Sequence, residues 1–89
     1  MKEYYDFVEQ HTDGIWWYHG AWGDNNHGTR EKAENNFKER LWWDLERPHR
    51  ILRHRDKFPN ETLVSKDLKV FTDLCGHEII TDDKFEVLD

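Results

Sequence analysis

The sequence predicts an α+β fold in which three helices pack against a small, mostly antiparallel sheet. Two observations predict it: three stretches place apolar side chains at helical spacing, and four short stretches are rich in strand-forming residues or alternate in polarity. With 89 residues, the chain is expected to form a single compact domain, 1–89. The predicted helices span about 3–11, 30–46 and 66–75, and the predicted strands span about 15–18, 50–54, 78–81 and 85–88.

The first predicted helix, 3–11, rests on spacing. The larger side chains from Tyr4 to His11 recur at positions i, i+3, i+4 and i+7, which form one face of a helix. Gly14 can end this helix because glycine readily adopts the left-handed conformation of a C-cap. The four bulky residues at 15–18 then favour a buried strand.

The second predicted helix, 30–46, has the strongest pattern in the chain. Apolar residues recur at every fourth position from Ala33 to Leu45. Thr29 is a suitable N-cap. Pro48 is expected to stop the helix because proline disfavours the helical conformation of the residue before it.

The third predicted helix, 66–75, follows Ser65 as its N-cap and ends before Gly76. Its apolar face would bury Cys75, so we expect an inert thiol there. The tail then alternates between apolar and polar residues on both sides of an Asp-Asp-Lys turn. This pattern predicts that the strands at 78–81 and 85–88 form a hairpin.

Composition indicates a folded protein of the cytoplasm. Only 36% of the residues are hydrophobic, but 15% are aromatic and five are tryptophan, so a few large rings can build a core. The single cysteine excludes an internal disulfide framework, which a secreted protein of this size would usually need. We expect no membrane association, because the sequence has neither a signal-peptide core nor an apolar run of about 18 residues.

The charge distribution bears on the choice of partner. The net charge is -6, yet residues 47–57 hold five basic residues against one acidic residue, Asp56. An acidic body repels phosphates, which disfavours general nucleic-acid binding and suits a basic or bipolar partner.

The loop at 19–28 is the first candidate binding site. It places Trp22 beside Asn25, Asn26 and His27, and such loops resemble adaptable recognition surfaces in which the ring anchors and the amides adjust. The alternative is an irregular connection in which the tryptophan folds back onto the core.

The basic strip at 47–57 is the second candidate. Arg50, Arg53 and Arg55 could grip phosphates or carboxylates, with nearby aromatic rings stacking on bases. The alternative is that these arginines pair with the protein's own carboxylates.

Catalysis and metal binding are not expected. The sequence contains no glycine-rich phosphate loop, G-x-S-x-G elbow or H-E-x-x-H motif. Structural zinc needs four closely spaced ligands, and neither His49 with His54 nor Cys75 with His77 fits the common spacings. We therefore expect a protein that is not an enzyme and that uses no metal and no cofactor.

The leading hypothesis is a small acidic protein–protein interaction module that uses exposed tryptophans, among them Trp42 and Trp43. In general style, but by no motif, such a chain resembles phage- or mobile-element-encoded inhibitors and regulators of host macromolecular machines. Self-association into a homodimer is an equally physical use of the same rings. The alternatives are a nucleic-acid-binding protein that uses residues 47–57 and a small ligand-binding or catalytic domain built on residues 19–27.

Overall fold

The computed structural model describes residues 2–89, which form one antiparallel sheet and one α-helix. The strands are β1 (Tyr4–Gln10), β2 (Trp16–His19), β3 (His49–His54), β4 (Thr62–Ser65), β5 (Val70–Thr72), β6 (Glu78–Thr81) and β7 (Phe85–Leu88). Between β2 and β3 lie a single 3₁₀ turn, Gly20–Trp22, and the helix α1, Arg30–Arg40. The order across the sheet is β6-β5-β4-β2-β1-β3-β7, so β1 and β2 lie near its centre.

The sheet curls around an aromatic core. Phe71 on β5 and Phe85 on β7 come from opposite sides of the sheet, yet their ring centroids are 5.4 Å apart. Phe58, from the segment between β3 and β4, fills the space between them at 6.1 Å from each. Because each buried ring removes roughly 150–250 Å² from water, these rings replace a larger aliphatic core. The other buried members of this inner core are Val8, Tyr18, Leu52 and Leu63.

The helix covers part of the outer face of the sheet. The Phe37 ring meets the edge of the Phe7 ring at a centroid distance of 5.6 Å. The side chain of Thr29 accepts a hydrogen bond from the backbone N–H of Lys32 at 3.2 Å, so the predicted N-cap is confirmed. The other buried residues of this outer cluster are Ala33, Leu41 and Ile51.

The predicted α+β class is wrong, because the described residues form a mostly β protein with one α-helix. The first predicted helix, 3–11, is the central strand β1, which pairs with β2 on one side and β3 on the other. Asp6, Phe7, Val8 and Glu9 are all buried, so both faces of the strand are covered. Covering both faces removes the alternation that marks a strand, and the helical spacing is coincidental.

The third predicted helix, 66–75, is also wrong and is replaced by β5 between two turns. The Asp67 carboxylate accepts a hydrogen bond from the backbone N–H two residues ahead at 2.9 Å. The Asp73 carboxylate accepts from the N–H groups two and four residues ahead, both at 2.9 Å. Such side-chain bonds offer the backbone an alternative to a helix. Cys75 is consequently exposed rather than buried.

The helix α1 ends six residues before the predicted boundary at 46. Leu41 leaves the helical conformation, with φ -115° and ψ 35°. Two turns follow, in which the backbone N–H of Asp44 donates to the carbonyl of Leu41 and that of Arg47 donates to the carbonyl of Asp44. Leu45, which the four-residue spacing placed in the core, is exposed.

The four predicted strands are present within about one residue, and β4 was missed. The predicted hairpin at the tail is wrong. A turn joins β6 to β7, with the N–H of Lys84 donating to the carbonyl of Thr81, but β6 pairs with β5 and β7 pairs with β3. The alternation of the tail predicts its strands correctly but carries no information about their partners.

A buried hydrogen-bonded pair, Asp6 and His54, holds β1 to the end of β3. The Oδ2 atom of Asp6 lies 3.0 Å from Nε2 of His54, and both side chains are buried. The Nδ1 atom of His54 meets the carbonyl oxygen of Asp56, so both ring nitrogens have a polar partner. Oδ1 of Asp6 accepts the backbone N–H of Asn26 at 2.7 Å.

We expect His54→Ala to lower the free energy of unfolding by about 3–5 kcal/mol, because it leaves the Asp6 carboxylate buried without its partner. Urea denaturation followed by circular dichroism measures the change. His77→Ala is the matched control, since His77 is exposed and its pair with Asp73 should contribute less than about 1 kcal/mol. Equal effects of the two substitutions would show that the buried pair does not stabilise the fold.

The phenol of Tyr18 joins two loops beneath the sheet. It donates to the carbonyl of Pro59 at 3.2 Å and accepts the Nδ2 amide of Asn25 at 2.7 Å. Burial raises the pKa of Tyr18 far above its ordinary value of 10.0, and the negative charge of Asp6 raises it further. The folded protein therefore keeps this phenol protonated in alkaline solution.

This raised pKa predicts a loss of stability at alkaline pH. Above about pH 10 the unfolded chain can release the Tyr18 proton while the folded protein cannot, so the stabilisation present below that pH declines as the pH rises. Tyr18→Phe should cost about 1 kcal/mol at neutral pH. The difference in the free energy of unfolding between wild type and Tyr18→Phe should then become smaller above about pH 10.

Urea unfolding at about pH 8 and about pH 10.5 measures this difference. Tyr4→Phe serves as the control, because Tyr4 is only half-buried and its ring lies near the ammonium groups of Lys2 and Lys57. A difference for Tyr18→Phe that stays constant between the two pH values would contradict the prediction.

Candidate functional site

A row of residues that pair across neighbouring strands runs over the outer face of the sheet. The row starts in the part of the sheet that α1 covers and ends in a part that α1 leaves uncovered. The helix α1 packs over β1 and β3, at one end of this row. At the other end, a groove of about 420 Å³ lies over β2, β4 and β5, and its apolar lining includes Ile15, Trp17 and Leu74. The residues paired in register along the row are His49, Glu9, Trp17, Val64 and Thr72.

Glu9 lies at the border between the two regions, and its side chain is only 3% exposed. Its Oε1 atom lies 2.7 Å from Nε2 of His11 and 2.9 Å from Nε2 of His19. Its Oε2 atom accepts a longer bond, 3.5 Å, from the guanidinium of Arg47. The carboxylate is thus surrounded by donors that come from the residue after β1, from β2 and from the segment after α1.

These partners decide the ionisation of Glu9. Burial alone raises the pKa of its carboxyl group. The hydrogen bonds from His19 and His11 and the positive charges of His19 and Arg47 outweigh this effect, and the pKa lies below its usual value of 4.5. Glu9 is therefore a carboxylate at neutral pH, which is the state needed to bind a cation or accept hydrogen bonds.

Four aromatic rings stack along the surface beside Glu9. The His11 ring lies parallel to Trp17 with centroids 4.8 Å apart, and Trp17 is followed by His19 at 6.2 Å. His19 in turn stacks on Trp22 at 3.8 Å with an angle of 2° between the planes. The guanidinium of Arg40 lies over the Trp22 ring at 5.4 Å from its centroid. His19 is flanked by Trp17 and Trp22, and His11 stacks on Trp17 alone, so ring stacking orients both imidazoles.

The turn between α1 and β3 carries the most exposed rings of the site. Trp42 is 73% exposed and Trp43 is 58% exposed, while Leu45 on the same turn is also exposed. The guanidinium of Arg47 lies over the Trp43 ring at 5.2 Å and donates to the Asp44 carboxylate at 2.9 Å. Arg47 therefore links this turn to Glu9.

Of the four residues predicted to bind in the loop at 19–28, one is exposed on the surface and the others bond to the rest of the protein. Trp22 is 42% exposed. Asn25 bonds to Tyr18, and the side chain of Asn26 exchanges two hydrogen bonds of 2.8 Å with the backbone of Phe58. His27 pairs through its backbone with β1, at Tyr5. Of the four residues predicted to bind, only Trp22 lies near the Glu9 cluster, through its stack on His19, the first residue of the loop.

The basic strip at 47–57 is largely paired with the protein's own carboxylates. Arg50 bonds to the Asp89 carboxylate at 3.4 Å, and Arg53 bonds to Glu86 through its Nε at 3.0 Å. Because Arg50 and Arg53 are three positions apart on β3, their side chains leave opposite faces of the strand. Arg55 has no salt bridge within residues 2–89. The structure therefore does not assemble Arg50, Arg53 and Arg55 into one cationic patch.

Sequence analysis missed Glu9, His11 and His19 as a group because it treated 3–11 as a helix. Residues two apart face different directions on a helix but share a face on a strand. The antiparallel pairing of β1 with β2 then brings His19 diagonally across from Glu9. The pattern Glu-x-His in a strand, followed by a second strand that contains histidine, is the signal that would have revealed the group.

The histidine pairs considered from sequence spacing do not assemble. His49 and His54 are an odd number of residues apart on β3 and use different carboxylates, Glu34 and Asp6. By contrast, the ligand atoms of Glu9, His11 and His19 all lie within 4.8 Å of one another. Among the described residues, the cluster of possible metal ligands therefore lies on the outer face, around Glu9.

Two further findings describe the protein as a whole. Within residues 2–89, no helix is both long enough and apolar enough to cross a membrane. Comparison with protein families, with curated proteins and with solved structures gave no significant match.

Proposed function

We propose that this protein is an interaction module that docks onto a protein partner through Trp22, Trp42, Trp43 and Leu45, called here the tryptophan surface. The exposure of its three indoles, 42%, 73% and 58%, is the observation that carries the proposal. Contiguous exposed apolar patches of more than a few hundred Å² are uncommon on monomers and commonly mark interaction sites.

The exposed area suits the centre of an interface. At roughly 150–250 Å² for each fully accessible ring, the three partly exposed indoles offer on the order of 300–400 Å². A standard interface buries about 800 Å² per partner, and its most important contacts are few and rich in tryptophan and arginine. The tryptophan surface would supply about half of that area, with polar neighbours forming the rim.

The rings are also held in place before binding. Trp22 contacts the His19 ring and the Arg40 guanidinium, and the Arg47 guanidinium lies over Trp43. A surface that is already ordered loses less conformational entropy when it binds. The ordered position of these rings supports a role in docking and argues against a flexible turn that binds nothing.

Charge complementarity favours a basic protein as the partner. The chain has a net charge of -6, and Arg47, Arg50 and Arg53 are paired with its own carboxylates. A protein with this net negative charge attracts positively charged proteins and repels phosphates and other copies of the same chain. We also place this interaction in the cytoplasm, where a free exposed thiol such as that of Cys75 stays reduced.

We expect the double variant Trp42→Ala/Trp43→Ala to lose at least about 30-fold in affinity for the partner, since interface hot spots contribute about 2 kcal/mol or more. The partner is first captured from the source cells, identified by mass spectrometry and purified. Isothermal titration calorimetry with the purified proteins then measures the affinity, which should also fall as salt is added.

Ile79→Ala is the matched control, because Ile79 is an exposed apolar residue on β6, away from the tryptophan surface. It should bind within about twofold of wild type, and both variants should keep nearly wild-type stability in urea. Equal affinity of the double variant and wild type would refute the proposed surface. A wild-type dimer in light scattering that the double variant abolishes would show that the partner is a second copy.

A further inference from the structure

Three potential metal ligands converge beside the tryptophan surface. Oε1 of Glu9 and the Nε2 atoms of His11 and His19 lie within 4.8 Å of one another, and Oε1 lies within 2.9 Å of both nitrogens. Two imidazole nitrogens with one carboxylate oxygen form a donor set that binds zinc in proteins. We propose that Glu9, His11 and His19 form a Zn²⁺ site with these three atoms as ligands and a fourth position open to solvent.

Small side-chain movements are enough to reach zinc geometry. Zinc lies about 2.0–2.2 Å from nitrogen and oxygen ligands, so tetrahedral ligand atoms are about 3.3 Å apart. The two Glu9–histidine distances, 2.7 and 2.9 Å, would therefore increase by roughly half an ångström. No two of the three ligand atoms start more than 4.8 Å apart, which is within reach of ordinary rotations about side-chain bonds.

The surrounding residues hold the ligands in a suitable orientation. The ring of His11 stacks on Trp17 and that of His19 stacks on Trp22, so both imidazoles present Nε2 towards the same carboxylate oxygen. Arg47 bonds to Oε2 of Glu9 and leaves Oε1 for the metal. Such contacts orient the ligands as the outer shell of a metal site does.

The site is reachable from solvent, and its chemistry selects the ion. The side chain of His11 is 33% exposed, which provides an entry path from solvent, whereas Glu9 is only 3% exposed. Imidazole ligands favour zinc and neighbouring transition metals over Mg²⁺ and Ca²⁺, which prefer oxygen ligands. The other role open to the two histidines is to satisfy a buried carboxylate by hydrogen bonding alone.

Titration of this 89-residue chain with Zn²⁺ after chelator treatment separates these two roles. We expect isothermal titration calorimetry to give one Zn²⁺ per chain. His11→Ala and His19→Ala should each lower the affinity by more than the about 10–100-fold that loss of an outer-shell partner costs. Wild-type affinity in either variant would overturn the proposal.

Two matched controls cover adventitious binding. His77 also contacts a carboxylate, that of Asp73 at 3.2 Å, and the exposed thiol of Cys75 lies two residues away. His77→Ala and Cys75→Ser should therefore keep the wild-type affinity. A loss of Zn²⁺ binding in these variants, with His11→Ala unaffected, would place the ion elsewhere and overturn the proposal.

A measurement on the wild-type protein makes the test independent of variant folding. Nitrogen NMR of the histidine rings should show one equivalent of Zn²⁺ shifting the Nε2 resonances of His11 and His19 and leaving those of His49 and His54 in place. Unchanged His11 and His19 resonances would overturn the proposal. Trp42→Ala/Trp43→Ala should bind Zn²⁺ as wild type does, because neither ring supplies a ligand, so this test and that of partner docking can fail separately.

Discussion

Two carboxylates buried in the central strand set the main constraint on this fold. Asp6 points to the inner core and Glu9 points to the outer face, and both are almost completely shielded from water. A buried charge without partners costs several kcal/mol, so each carboxylate requires donors from elsewhere in the chain. His54 reaches Asp6 from the far end of β3, and Arg47 reaches Glu9 from the turn after α1.

The contacts of Arg47 bear on where the exposed tryptophans lie. Arg47 contacts Glu9 and bonds to Asp44, and it makes both contacts from the two tight turns that follow α1. A helix continued through these residues would carry the arginine past the carboxylate, because each further residue adds about 1.5 Å along the axis. The two turns leave Trp42 and Trp43 on the outside, where core packing cannot reach them.

The same contacts show how much the sequence could predict. The start of α1 was predictable, because Thr29 and the Ala33–Phe37 spacing are local signals. The identity of β1 was not, because its partners lie up to 50 positions away, as His54 does from Tyr4. A strand buried on both faces shows no alternation, and its two carboxylates resemble a solvated helix face until those partners are known. The candidate site around Glu9 was missed for the same reason, since recognising it requires the strand assignment and the register of β1 with β2.

The proposed metal site and the tryptophan surface share a physical connection through His19. Its ring supplies one proposed zinc ligand and stacks on Trp22, a member of the tryptophan surface. A metal that fixes the His19 ring also restricts the indole stacked on it, and a partner that grips Trp22 restricts the imidazole beneath. Binding at either position then removes some of the entropy cost of binding at the other, and thermodynamic linkage makes this effect equal in both directions. Coupling of this kind needs no change of backbone structure, because the stacked rings are a continuous path from the carboxylate to the docking surface.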